Sequence, residues 1–402
     1  LDLKEMSVFG KNSIGNESAY NQGFAFVNYL SETFGDSIVK KLSVQASNPL
    51  TLTFDGVMKE TTGLPADSVY QMWHDHLKET YTQKLNVISE NVTEGISLSE
   101  KGIGNVHPVF SPSGMKIAYI KSPLEYLTAN ALAVYDLETQ ENRLFDGFVA
   151  SSLSWSPSGR YLAYAKQVNL QPNGSSFFDI YVYDMKRNKK FQITKGLRAT
   201  NPDWSHDGRK LVFVVHSDGV TNLYSLELDE FVWIDKKKLW QKLYYDLDHH
   251  TLVEKIPEDR KDDWRRYYRQ VEVWGQGIKQ LTALKNGRQI YHPRWSPDDD
   301  YIIFDTSIDF GRDIAKIPAG GGEIEFVLNA RYDERYPVFD ATGEEIYFAS
   351  DKTGIFNIYS YDLKTGEIKP HTNVVGGAFM PTLNERGDMA FSLYKKQAYH
   401  LS

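Results

Sequence analysis

The chain carries residue types that could do chemistry, but not at the spacings chemistry needs. Zinc hydrolysis from a helix uses H-E-x-x-H, two imidazoles one turn apart with a glutamate base between them. That string is absent from the 402 residues. His74 and His76 stand two apart, which on a helix sends them to different faces, and His249 and His250 are adjacent, so neither pair makes joint ligands. A serine hydrolase needs a G-x-S-x-G elbow, and none occurs. Asp298-Asp299-Asp300 lacks the ligand spacing of a cation loop and reads as a solvated turn, and Gly320-Gly321-Gly322 reads as a hairpin turn. There are no cysteines, so disulfides and thiolate metal sites are excluded. The net charge of -8 gives no basic face for nucleic acid, and no apolar run is long enough to cross a membrane.

The elements that would position a site are written as a repeat. Six copies read HPVFSPSGMKIAYI from His107, SLSWSPSGRYLAYA from Ser152, NPDWSHDGRKLVFV from Asn201, HPRWSPDDDYIIFD from His292, YPVFDATGEEIYFA from Tyr336 and MPTLNERGDMAFSL from Met380. Each is a short apolar strand, a tight Ser-Pro-Asp-Gly-like turn and an alternating strand. Third strands follow, such as DIYVYDM from Asp179 and NIYSYDL from Asn357, and fourth strands such as FQIT from Phe191 and KQLT from Lys279. Steps of about 44 to 49 residues, with one about twice as long, and four strands per unit predict a mainly β fold, a six-bladed β-propeller. The strand ISLS from Ile96 precedes the first copy, and the last copy ends after three strands. Ile96–Ser99 is therefore expected to complete the last blade and close the ring, hiding the sheet edges.

The long step predicts an insertion, residues 230–275, between the third and fourth strands of blade three. It holds Trp233, Trp240, Trp264 and Trp274, half of the eight tryptophans. Three readings stay open: a hairpin with a mini-helix packed on its own blade, a partner-docking surface, or a degenerate seventh blade.

Residues 1–85 read as an α-helical segment and 86–94 as a linker, with the propeller over 95–402. Phe24, Val27, Leu30 and Phe34 recur at helical spacing and Gly35 ends that helix. A second helix starts at Ser37, a short third closes at Gly63, and Val69, Met72, Trp73 and Leu77 form the stripe of a fourth after Pro65.

The repeats resemble the TolB-like propeller repeat, a relative of WD-type repeats. The likeness is clearest at Trp155-Ser156-Pro157-Ser158-Gly159, Trp204-Ser205-His206-Asp207-Gly208 and Trp295-Ser296-Pro297-Asp298-Asp299, and Leu383-Asn384-Glu385-Arg386-Gly387 departs most. The helical stretch Ala19-Tyr20-Asn21-Gln22-Gly23-Phe24 resembles the C-terminal part of gluzincin, peptidase MA-like metallopeptidase domains, as do Phe54-Asp55-Gly56 through Thr62-Gly63 and Trp73. That resemblance implies that Tyr20 stabilises a tetrahedral oxyanion, against the plainer reading of a tyrosine packed at a helix start. It also implies a zinc motif upstream of Leu1, so no cofactor is expected in this chain and zinc is expected only in a longer parent.

Residues just before the first strands should meet at the mouth of the central channel: His107, Ser152, Asn201, His292, Tyr336 and Met380, with Arg335 and Arg331 nearby. A mixed polar and aromatic ring of this kind suits a peptide end or a small ligand, or else orders water. The sequence thus supports a protein- or peptide-binding module of a periplasmic or extracellular bacterial protein. The alternatives are a fragment of an active zinc metallopeptidase and a scaffold in an envelope complex of the TolB kind.

Overall fold

A computed structural model of the chain describes residues 13–51, 53–99, 102–123, 130–168, 176–228, 240–308 and 311–402. Two compact units divide the chain, Leu1–Asn91 and Val92–Ser402.

In the first unit, α1 spans Ser13–Phe34, α2 Ile38–Ala46, α3 Phe54–Thr62 and α4 Ala66–Ser89. Local chemistry sets these ends. The Thr53 hydroxyl accepts the Gly56 N–H at 3.1 Å to cap α3, and Gly63 closes it in the left-handed conformation (φ 79°). The Asp55 carboxylate accepts the Ala66 N–H at 2.8 Å, so a residue of α3 caps α4 just after Pro65. Phe26, Leu30, Ile38, Met58, Val69 and Trp73 form the core. The buried face of α1 thus differs from the expected stripe: Leu30 lies on it, but Phe24 and Val27 face outward and Phe26 faces in. Helix α4 also runs through Ser89, into the stretch read as a linker.

In the second unit the repeats form six antiparallel sheets, five of four strands and a last one of three. Their first strands are Gly104–Phe110, Val149–Trp155, Ala199–Trp204, Gln289–Trp295, Glu334–Phe339 and Ala378–Leu383. Each contacts the next, and Ala378–Leu383 returns to Gly104–Phe110, so the six inner strands close a ring. This is a six-bladed β-propeller.

Alternation along the strands explains why the blades stack. One apolar cluster fills each interface between neighbours, and the tryptophans of the repeat turn belong to these wedges. Trp155 packs between blades one and two, Trp204 between two and three, and Trp295 between three and four. Smaller clusters around Phe348, Phe391 and Tyr119 fill the remaining three. Burying one such side chain is worth about 1.5–3 kcal/mol, so the wedges dominate stability.

Closure uses the segment before blade one. The Leu98 N–H donates to the Leu401 carbonyl at 2.7 Å and Ser99 bridges Leu401, so among the described residues the fourth strand of blade six is a single bridge.

The described part of the insertion, from Trp240, folds as a hairpin, Trp240–Asp246 with Tyr268–Trp274, whose connection holds the strand Thr251–Val253, a 3₁₀ turn and the short helix Trp264–Tyr267. Its second strand pairs with Thr194–Lys195, which leads out of blade two. Leu243, Tyr245, Val271 and Val273 share the apolar cluster between blades two and three. The insertion is therefore a satellite sheet at the rim. It is not a seventh blade, because the inner strand of blade three contacts that of blade four directly.

The closing bond is testable. Leu98→Pro removes the donated N–H while Leu98→Ala keeps it, so in urea unfolding Leu98→Pro should lose about 1–3 kcal/mol more than Leu98→Ala.

Candidate functional site: the axis of the propeller

Every inner strand breaks register with its neighbour at the same place, between Val106 and Val109, Ala150 and Ser154, Thr200 and Asp203, Tyr291 and Arg294, Arg335 and Val338, and Phe379 and Thr382. In five blades the residue before proline sits in the left-handed region at the break: His107 (φ 54°), Asn201 (51°), His292 (45°), Tyr336 (59°) and Met380 (57°). In blade two, where Leu153 replaces proline, the bulge is one residue longer and Ser151 takes the positive φ of 66°. The residues expected at the channel mouth thus lie inside the inner strands, at bulges, rather than before them.

These bulges bring His107, Ser152, His292, Tyr336 and Met380 together on the axis, where they and their neighbours leave only about 10 Å³ of free space. Ring centroids of His292 and Tyr336 are 4.4 Å apart, and those of His107 and His292 5.6 Å. Asn201 is drawn into the same level: its side-chain oxygen accepts from the Ser152 N–H and hydroxyl, both at 3.1 Å. Behind His292, the buried Asp305 accepts from Nδ1 at 2.8 Å and from Arg312, whose guanidinium lies 3.4 Å from the Tyr291 ring centroid. Burial raises the Asp305 carboxyl, but His292 and Arg312 together outweigh it and hold the group below its usual range. Burial, then the neighbouring His292 and Arg294, keeps His107 well below the ordinary histidine range, so it is neutral. Burial, followed by Asp305, pushes the Tyr336 phenol up to about 12. The ring is a plug rather than a mouth. Arg335 stands apart from it, paired with Asp333 and stacked near Phe356, and Arg331 is exposed.

The open volume lies one strand period further on. Two residues beyond the plug in each blade come Val109, Ser154, Asp203, Arg294, Val338 and Thr382, which line a cavity of about 480 Å³ on the face carrying the repeat turns. These side chains also join the blades. Ser154 Oγ accepts the Trp204 N–H at 2.9 Å, Asp203 accepts the Trp295 N–H at 2.9 Å, and Thr382 Oγ1 accepts the Phe110 N–H at 3.4 Å. Arg294 donates to Asp203 at 2.8 Å and to the Leu153 carbonyl at 3.1 Å. Period-two alternation could have found this ring by stepping two residues past each proline-anchored position. A hollow of about 760 Å³ between blades three and four is larger, but it is shallower and only those two blades line it.

Asp299 occupies the left-handed turn position that glycine holds in other blades (φ 59°). Its carboxylate accepts the N–H groups of His206 and Asp207 at 2.8 and 2.9 Å, tying two turns together. Tyr20 lies on α1, 66% exposed. Trp240 and Trp274 pack against each other with ring centroids at 5.5 Å, Lys195 covers Trp240, and Trp264 packs on Tyr244. The tryptophans at 240, 264 and 274 therefore serve the satellite sheet, and Trp233 lies outside the described residues. Among the described residues no three His, Cys, Asp or Glu side chains stand close enough to hold a metal ion, and no helix is long and apolar enough to cross a membrane.

At the far end of the blade-five inner strand, the Glu334 carboxyl is buried and its Oε2 has no hydrogen-bond partner among the described residues. Burial, then Asp313, Asp333 and Asp351, raises it to about 8 from 4.5. The native state therefore holds a proton that the unfolded chain releases. The resulting stability is complete below about pH 4.5 and is lost as pH rises through 8. Glu334→Gln should flatten that fall, gaining on the wild type steadily when urea midpoints are compared at pH 5, 7 and 9.

No family model matches the chain. It is similar to the uncharacterised peptidase YuxL of Bacillus subtilis (strain 168), 24% identical over 202 residues that cover 40% of this chain and 30% of YuxL. The chain thus matches less than a third of the length of that relative. Among solved structures it is similar to TolB of Acinetobacter baumannii, with a TM-score of 0.49, 16% identity, and 84% of this chain and 67% of the other covered. It is also similar to the β-propeller domain of the Trilobed protease of Pyrococcus furiosus, with a TM-score of 0.45, 15% identity, and 75% and 95% covered.

Proposed function

We propose that the propeller is a recognition module that binds a short peptide segment or chain end in the turn-face cavity, within a larger peptidase-related protein of the bacterial envelope. The observation that carries this reading is the cavity itself. Its volume of about 480 Å³ falls in the range of small-ligand sites, and all six blades converge on it. Its wall joins apolar Val109 and Val338 to the polar Ser154, Asp203, Arg294 and Thr382, and the histidine–tyrosine plug closes its floor. Such a wall can hold a side chain by contact and a backbone by hydrogen bonds. The Asp305–His292 pair resembles an oriented base, but the space beside it admits no substrate.

For the parent protein the proposal extends to a zinc metallopeptidase whose substrates the propeller selects. The relative's name supports only the word peptidase, and the metal-dependent kind rests on the resemblance of the helical unit. Among the described residues no side-chain cluster fits a zinc site.

Ala341 is exposed on the cavity rim. Heptapeptides selected by phage display on the immobilised chain should bind Ala341→Trp at least about tenfold more weakly than the wild type, with an unchanged melting temperature. Failure to select any peptide, or selected peptides indifferent to the tryptophan, would remove the cavity from recognition.

A further inference from the structure

Half-buried arginines in this propeller follow a rule: each is paired with an aspartate. Arg160 pairs with Asp184, Arg294 with Asp203, Arg312 with Asp305 and Arg335 with Asp333. Two arginines break it. Arg198 directly precedes the inner strand of blade three, and Arg269 comes from the second hairpin strand of the insertion. Arg198 Nε and Arg269 Nε and Nη1 are shielded from solvent and have no hydrogen-bond partner among the described residues. Arg269 reaches the chain beside Arg198: its Nη2 makes a weak 3.5 Å contact to the carbonyl of Leu197, the residue before Arg198, and the two charges lie within electrostatic reach of each other. Burial, then repulsion from Arg198, lowers Arg269 to about 10.

The surroundings describe what is missing. The Phe177 ring lies 3.8 Å from the Arg198 guanidinium, and the Tyr245 ring 4.9 Å from that of Arg269. Aromatic contact covers a face of each fork and leaves the N–H edges, the geometry that receives a planar oxyanion. Asp179 cannot fill this role. Its carboxylate is already committed to the Thr194 hydroxyl at 2.8 Å and to the N–H groups of Gly196 and Leu197 at 2.7 and 3.0 Å. Asp179 and Asp218 nevertheless stand within electrostatic reach of Arg269. Two unpaired cations, only partly offset by two anions that form no ion pair with them among the described residues, suit a singly charged ligand better than a phosphate dianion.

We infer that Arg198 and Arg269 form a carboxylate-binding site at the junction of blades two and three with the insertion, on the face opposite the repeat turns. The ligand is a peptide carboxylate, either a chain end or an acidic side chain. The site is separate from the axial cavity and does not depend on the reading given to it.

The test is calorimetric titration of the whole chain with four probes: N-acetyl-Gly-Gly-Phe, its C-terminal amide, N-acetyl-Gly-Asp-Gly-amide and inorganic phosphate. The wild type should saturate with at least one carboxylate probe and not with the uncharged amide. Binding of the first probe alone names the chain end as the source, and binding of the aspartate peptide names the side chain. Arg269→Met and Arg198→Met should each weaken that binding at least about tenfold. Without probe, Arg269→Met should melt no lower than the wild type, because it removes buried N–H groups that have no hydrogen-bond partner among the described residues. Ala341→Trp should bind the probes normally. Several outcomes overturn the site: no carboxylate probe saturates, phosphate binds more tightly, either methionine variant binds unchanged, Arg269→Met melts several degrees lower, or Ala341→Trp loses binding.

Discussion

The left-handed bulge in each inner strand is the constraint on which this propeller depends. An inner strand pairs on one side only, and its other edge faces the axis, where each backbone N–H must find a partner or remain unsatisfied. Proline at the bulge has no N–H to satisfy, and the residue before it turns through positive φ, which costs a non-glycine residue roughly 1–2 kcal/mol. Blade two, with Leu153 in place of proline, shows what the proline does. There the bulge lengthens, the strained conformation moves to Ser151, and Ser152 and Asn201 join through their side chains.

Beyond the bulge, in three of the blades, the N–H of the last inner-strand residue is satisfied by the neighbouring blade. Ser154, Asp203 and Thr382 each accept from the last residue of the next inner strand, and the Trp155 and Trp295 indoles donate back to the carbonyls of Val109 and Asp203 at 3.2 Å. The same ring of side chains bounds the cavity. Stability and recognition therefore share residues on the axis, and changing Asp203 would disturb both by leaving Arg294 without its carboxylate. The rim residues, such as Ala341, carry no such duty.

The fold was legible because its determinants are local. Proline, the turn residues and period-two alternation recur at fixed distances, and closure by the segment at Leu98 follows from a missing strand. The axial residues were half legible. Period and proline place His107, Ser152, His292, Tyr336 and Met380 together, but not whether they enclose space, which depends on side-chain volumes meeting across the ring. The tryptophans of the insertion left their role open, since composition does not separate aromatics that cover a small two-sided sheet from aromatics that meet a partner. In the helices, spacing alone could not choose Phe26 over Phe24 because both are apolar. A repeated capping pair went unread although both ends are visible in the sequence. An Asp or Asn opens the third strand and a threonine ends the fourth, as in Asp179 with Thr194, Asn222 with Thr282 and Asn357 with Thr372. Nothing in the sequence distinguishes Arg198 and Arg269 from paired arginines, because a lacking partner is a tertiary property.

That lack bears on why the insertion exists. Leu243, Tyr245, Val271 and Val273 already give it a core shared with two blades, so packing alone holds it to the ring. Arg269 sits opposite Tyr245 in the hairpin ladder, where an apolar or β-branched residue would pair well and cost nothing in desolvation. A guanidinium there weakens the local structure instead, and it does so beside the one other half-buried arginine that forms no ion pair among the described residues. Two independent departures from good packing, one in the lead-in to blade three and one on an inserted strand, gain a direct partner when a carboxylate lies between them. The insertion then supplies the second half of a binding site, and its tryptophans are the means of holding that half in place.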